Sequence, residues 1–181
     1  LFMKNTVIII PSRLGAKRFP NKPLAKINNI PMIIHVLNRA KEAKVGEVFV
    51  ATPDVEILKM VKENGGQAIL TKHEHQTGSD RIYEAYLKKI KDSGIDLIIN
   101  LQGDMPNIKP NSIVKLENHM RNHDCEIGTL ASTLNNNEIN DTNVVKVYIE
   151  KKLEENSFLE AKDFLRKPTM LDDFKYNNSE K

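Results

Sequence analysis

The chain has 181 residues, 40% of them hydrophobic and 28% charged, which is ordinary globular usage with room for one main domain and a real core. Its formal charge of +3 is small and its cations are interspersed with acids, so composition predicts no nucleic-acid binding. No apolar run approaches the roughly 20 residues that span a bilayer, Leu1–Ile10 is too polar at Lys4 and Asn5 for a secretory signal, and the lone Cys125 cannot form an internal disulfide, so the expectation is a cytoplasmic protein without membrane insertion.

Thr6–Pro11 is a β-branched run without alternation, the pattern of a central parallel strand covered on both faces. A basic loop, Ser12–Lys22, follows. Pro31 then opens a helix with Ile33, Val36, Leu37 and Ala40 at helical spacing. Glu47–Ala51 reads as a strand, Asp54–Glu63 as a helix capped by Asp54 and stopped at Gly65-Gly66, and Gln67–Leu70 as a short strand. Thr71–Gly78 is a loop. Ile82, Tyr86 and Ile90 recur every four residues on a third helix, Leu97–Leu101 is another buried strand, and Pro110–Asn122 a fourth helix. Strands are predicted at Glu126–Thr133 and Val144–Ile149. The alternation implies an α/β fold, a Rossmann-like and mostly parallel sheet with helices on both faces and right-handed crossovers. That domain covers residues 4–149, with 150–181 as a C-terminal tail or truncated dimerisation region. Ligands of such sheets lie beyond the carboxyl ends of the strands, which singles out the loops after Ile10 and after Leu101.

The first of these loops places Arg13, Lys17, Arg18 and Lys22 within ten positions. Forked Arg donors and mobile Lys charges suit a polyphosphate, and Gly15 lets the backbone come close. The Gly-rich phosphate loop of ATPases is absent from the sequence. The second loop holds Gln102-Gly103-Asp104. A carboxylate there can hold Mg²⁺ against nucleotide phosphates or simply shape a turn, and Gln102 can reach a sugar hydroxyl or close that turn. A third polar segment, His75-Gln76-Thr77-Gly78-Ser79-Asp80-Arg81, suits recognition of a base or ribose and equally suits a helix start capped by Thr77 or Ser79. His73 and His75 read as surface residues rather than metal ligands.

In this order and spacing, the three segments resemble the CMP-KDO synthetases, where KDO is 3-deoxy-manno-octulosonate. The basic loop is similar to the family's P-[AS]-R-x-x-[AS]-x-R-x-P-x-K-P-L, and Ala51-Thr52-Pro53-Asp54 to its A-T-D. Thr77-Gly78-Ser79-Asp80-Arg81 resembles S-G-T-[DE]-R, Gln102-Gly103-Asp104 resembles Q-G-D, and Asn143-Val144-Val145-Lys146-Val147 resembles N-x-V-K-V. The similarity runs over residues 6–148. It implies a cytidylyltransferase that joins CTP and KDO to CMP-KDO and pyrophosphate for lipopolysaccharide assembly, with Mg²⁺ as cofactor and a homodimer by family analogy. Carried across, Arg13 and Lys22 hold the phosphates with Arg18 in support, and Asp104 binds Mg²⁺. Gln102 contacts the sugar, and Gln76, Thr77, Gly78, Ser79 and Arg81 line the cytidine pocket.

Met105 stands where the family usually has Glu, and Pro53 is inserted before Asp54. Residues 150–181 do not match the family's later sugar-binding Arg, His, Tyr and Gln or its second metal-binding Asp, so the chain reads as a shortened member. Acylneuraminate cytidylyltransferases share the basic loop but usually carry Q-P-T-S-P in place of Gln102-Gly103-Asp104-Met105-Pro106. An inactive nucleotide-binding fragment is the alternative from another class.

Overall fold

Strand β1, Thr6–Pro11, has the bounds its composition predicts. Val7 and Ile9 point to one side and Ile8 and Ile10 to the other, and all four are at most 1% exposed. The computed structural model describes residues 6–15, 19–152, 154 and 157–166. After the basic loop comes a short 3-10 turn, Lys22–Leu24, and a hairpin that the sequence reading does not anticipate: β2 (Lys26–Ile27) paired with β3 (Ile30–Pro31). Its two-residue loop is Asn28-Asn29, with φ of 50° and 65°, both in the left-handed region that a tight hairpin turn demands and that Asn tolerates. Helix α1, Met32–Ala43, buries the stripe read from its spacing, including Ile33, Val36, Leu37 and Ala40. Then follow β4 (Gly46–Thr52), α2 (Val55–Glu63), β5 (Gln67–Leu70), α3 (Gly78–Lys89), β6 (Leu97–Asn100) and α4 (Pro110–Asn122).

The four longer strands form one sheet in the order β5-β4-β1-β6, parallel throughout. From β1 the chain steps outward through β4 to β5, and α1 and α2 cover the face that carries Ile8 and Ile10. It then crosses back to β6, and Ile82 and Ala85 of α3 pack on the opposite face against Val7 and Ile9. Reversing direction while keeping one crossover hand requires this change of face. The turnaround leaves β1 beside β6 with their outgoing loops diverging, which opens a crevice at their carboxyl ends.

At the other end of these strands, ionic contacts fasten α4 to the sheet. The buried Thr6 hydroxyl donates to Glu117 Oε1 (3.0 Å), while Arg121 donates to Glu117 Oε1 (3.0 Å) and to Thr6 Oγ1 (2.8 Å) and pairs with Asp96 at 2.7 Å. Removing one partner of such a buried set strands the others, so the network secures register rather than adding much net stability.

The chain divides into two compact units, Leu1–Arg121 and Asn122–Lys181. In the second, β7 (Lys146–Tyr148) pairs antiparallel with β8 (Asp163–Leu165). The buried Lys146 ammonium is held there by the carbonyls of Asp141, Val144 and Arg166. The strand expected at Glu126–Thr133 does not form. Ile127 is 89% exposed, and strand propensity alone cannot supply the neighbouring ladder that its backbone groups need. Just before this segment, Cys125 donates its amide to the carbonyl of His123.

Gly46 opposes Thr6 in the β1–β4 ladder, and a Cβ at this position would lie 1.8 Å from the Thr6 carbonyl oxygen. Gly46→Ala is therefore expected to lower unfolding free energy by about 1–3 kcal/mol or more through forced backbone displacement. Urea unfolding checks this, and a variant as stable as the parent would contradict the pairing.

Candidate active site

The crevice is built first by the loop leaving β1. The Ser12 amide donates to Ala51 O (3.0 Å), carrying the ladder one residue past the strand. Leu14 is then gripped from two sides: its amide donates to Asp54 Oδ2 (2.8 Å) and its carbonyl accepts from the Asn21 amide (3.1 Å). Asn21 makes that return in the left-handed region, at φ 57°. The loop closes at this point, so Arg13 and Lys22 stand together at its two feet. Asp54 does occupy the N-cap position of α2, as the sequence predicts, but its carboxylate caps no helix amide and holds the basic loop instead. Arg18 lies outside the described residues.

The second wall comes from the turn into α3. Thr77 is the N-cap, accepting from the Asp80 amide (3.1 Å) while its own amide donates to Asp80 Oδ2 (3.2 Å). The start of a 12-residue helix thus faces the crevice, where its remaining free amides and its dipole favour an anion. Arg81 is 3% exposed and donates to Thr71 Oγ1 (2.5 Å) and the Lys72 carbonyl (2.8 Å). Burial lowers its pKa, and the positive charge of Arg13 adds to that, against the opposing pull of Asp54 and Glu84.

The third wall is the loop after β6. A Cβ on Gly103 would come 2.9 Å from the Pro11 carbonyl oxygen, so glycine is what lets this loop seat on the end of β1. Gln102 donates through Nε2 to Asn100 Oδ1 (2.7 Å). Asp104 pairs with Lys22 at 2.9 Å, with 55% and 34% of the two side chains exposed.

Between these walls is a cleft of about 170 Å³ lined by Pro11–Arg13, His75–Gly78, Arg81 and Gln102. Of the residues singled out in the sequence, Arg13, Gln76, Thr77, Gly78, Arg81 and Gln102 converge on it. Ser79 is exposed on the first turn of α3 and outside the lining, and Lys22 and Asp104 pair with each other rather than line it. Among the described residues, the buried Ser12 hydroxyl has no hydrogen-bond partner, which leaves a polar atom unspent at the cleft floor. No group of three His, Cys, Asp or Glu side chains able to hold a metal occurs among them.

His75 is no surface residue. Its ring Nε2 contacts the Glu84 carboxylate, which also accepts the Lys72 amide (2.9 Å) and pairs with Lys88 (2.6 Å). Neither Glu84 nor the clamp at Asp54 is singled out by the sequence reading. A signal for Glu84 was present, because Arg81, Glu84 and Lys88 share one face of α3.

The family model described as cytidylyltransferase matches residues 7–172. The chain belongs to the cytidylyltransferase family. Within it, the chain is 42% identical over 143 residues to the 3-deoxy-manno-octulosonate cytidylyltransferase of Rhodopseudomonas palustris (strain BisB18). It is 43% identical over 143 residues to the protein of the same name from Brucella canis. Each match takes in 78% of this chain, and the chain spans 58% and 57% of those relatives' lengths. Among solved structures, CMP:2-keto-3-deoxy-manno-octonic acid synthetase complexed with CTP superposes with a TM-score of 0.81 at 36% identity, covering 97% of this chain and 67% of that one. A cytidylyltransferase from Leptospira borgpetersenii shares the fold at 24% identity and a TM-score of 0.57, over 66% of this chain and 50% of that one. The family's fold is therefore the one built here on the β5-β4-β1-β6 sheet.

Burial alone would raise the Glu84 carboxyl, but hydrogen bonds from Lys88, His75 and the Lys72 amide outweigh it and bring the pKa from 4.5 to about 2. A carboxyl whose pKa is lower folded than unfolded contributes stability above its unfolded value and loses it as pH falls through the folded one. The stability gap between the parent and Glu84→Gln is thus expected to be full near neutrality and to close between pH 4.5 and about 2. Urea midpoints across that range check it, and a gap independent of pH would contradict it.

Proposed function

We propose that the cleft binds CTP with Mg²⁺, and that the protein acts as a 3-deoxy-manno-octulosonate cytidylyltransferase. The carrying observation is the convergence at one switch-point cleft of the Arg13 guanidinium, the amide-rich start of α3 and Gln102. The names of the relatives and the CTP complex of the structural neighbour support the same substrates. A cytoplasmic setting and a homodimer belong to this proposal by family analogy.

In the proposed reaction the anomeric hydroxyl oxygen of KDO attacks the α-phosphorus of CTP. A new oxygen–phosphorus bond forms, the bond to the bridging oxygen of the β-phosphate breaks, and pyrophosphate leaves as the hydroxyl proton is lost. Arg13 presents forked donors to the phosphate oxygens, Lys22 adds a mobile charge from the other foot of the loop, and Arg18 assists. Gln76, Thr77 and Gly78 bound the cytidine, with Arg81 lining the cleft beside them and bracing that wall through Thr71 and Lys72. Gln102 orients the sugar. Holding both reactants in line supplies most of what a protein can contribute to phosphoryl chemistry.

Asp104 fits a Mg²⁺ role. Its exposed carboxylate stands beside the half-buried Lys22, and Mg²⁺ typically takes one or two carboxylates together with substrate phosphates and waters rather than an all-protein cage. Bound there, the metal would supply positive charge that offsets the charge developing on the leaving pyrophosphate.

Arg13→Ala is expected to weaken CTP binding by about tenfold to a hundredfold, the range for a lost charge-assisted hydrogen bond. Asp104→Asn is expected to make CTP affinity insensitive to Mg²⁺ while leaving metal-free affinity undiminished, because Lys22 is released at the same time. Calorimetric titration with and without chelator checks both, and unchanged behaviour in the two variants would sink the site assignment. Turnover is tested by pyrophosphate release from CTP and Mg²⁺ with KDO, without it, and with a sialic acid. Release that requires KDO is expected. Release with sialic acid would move the assignment to the acylneuraminate enzymes, and CTP binding without release would leave a nucleotide-binding unit.

A further inference from the structure

The stretch from Thr71 to Thr77 has no regular secondary structure, yet it forms one wall of the cleft. Its geometry is held from α3. The peptide groups at Lys72 are gripped from both sides: the amide donates to Glu84 Oε2 (2.9 Å), and the carbonyl accepts from Arg81 (2.8 Å). Three residues on, the His75 ring rests on the same Glu84 oxygen, and His75, Gln76, Thr77 and Gly78 then follow along the cleft. Glu84 itself is 13% exposed and His75 21%, so neither contact is an open surface pair of the kind that contributes little.

We propose that Glu84, which does not line the cleft, is a positioning residue for the nucleotide: by fixing the Lys72 amide and the His75 ring it presets the Gln76–Gly78 wall. The consequence for binding rests on the nucleotide reading of the cleft. A wall preset before the ligand arrives spares the ligand the entropy of ordering it. Without the carboxylate, a half-buried imidazole and a loop amide lose their acceptor, and the segment samples other arrangements of which only a fraction bind. Lys88 provides the internal control. It pairs with the other Glu84 oxygen and donates to the Leu70 carbonyl, so its polar partners are the carboxylate and a carbonyl just ahead of the 71–77 segment.

The test uses Glu84→Ala, Glu84→Gln and Lys88→Ala, each read by amide hydrogen exchange of residues 72–77 without ligand and by calorimetric affinity for CTP. Glu84→Ala is expected to speed exchange across 72–77 and to weaken CTP binding by about tenfold, equivalent to about 1.4 kcal/mol. Glu84→Gln keeps an acceptor for the Lys72 amide and should recover part of both losses, while Lys88→Ala should match the parent in both. Parental exchange or parental affinity in folded Glu84→Ala would overturn the proposal, as would equal losses in Lys88→Ala. If Glu84→Ala does not fold, Glu84→Gln decides, with unchanged exchange and affinity counting against. A parent protein that binds no CTP would refute the nucleotide reading instead, and the exchange data alone would then uphold or overturn the positioning role.

Discussion

A strand whose side chains are all committed to packing can offer a ligand nothing but its end. Val7, Ile8, Ile9 and Ile10 are closed off by helices on both faces, and β1 lies between β4 and β6 with both edges taken. Everything chemical is therefore displaced to the point where the backbone leaves the sheet at Pro11. The switch in strand order separates the loops there, and Gly103 and Gly78 let neighbouring backbone close on Pro11 to form the floor. The clamp of Asp54 on Leu14 completes the arrangement by turning a basic segment into a loop with two fixed feet.

The site carries electrostatic tension that a polyanion would relieve. Burial depresses the Arg81 pKa and the charge of Arg13 adds to it, while Asp54 and Glu84 offset this from outside the cleft. Lys22 and Asp104 neutralise each other. An exposed pair of this kind contributes about 0–1 kcal/mol, little enough for phosphates and a metal to separate it. Local charge arrangements that do not favour the bare fold are expected where function has shaped a site.

The sheet was legible because its signals are local. The β-branched run marked β1, short apolar segments marked β5 and β6 within a residue of their observed bounds, and helical spacing marked the buried stripes of α1 and α3 without fixing their ends. Strand β6, expected to be buried, lies at the end of the sheet and buries Ile99 while exposing Ile98. The β2–β3 hairpin was missed because two-residue strands carry almost no periodicity, although Ile27-Asn28-Asn29-Ile30 holds the turn signal. Glu126–Thr133 failed in the opposite sense: its composition suits a strand, but composition cannot say whether a partner is present. In the cleft, Arg13, Gln102 and the start of α3 were legible from residue chemistry placed after buried strands. The roles of Asp54 and His75 are not legible because their partners are tertiary: Leu14 lies 40 residues away across the first crossover, and Glu84 meets His75 only once the loop folds back on α3.

The proposed function rests on the switch-point cleft receiving the nucleotide. A crystal structure of the protein with CTP and Mg²⁺ tests it most directly. The base and ribose are expected against Pro11–Arg13 and Gln76–Gly78, the phosphates on Arg13 and Lys22, and Lys22 parted from Asp104. A nucleotide bound elsewhere, or phosphates remote from Arg13 with the Lys22–Asp104 pair intact, would contradict it.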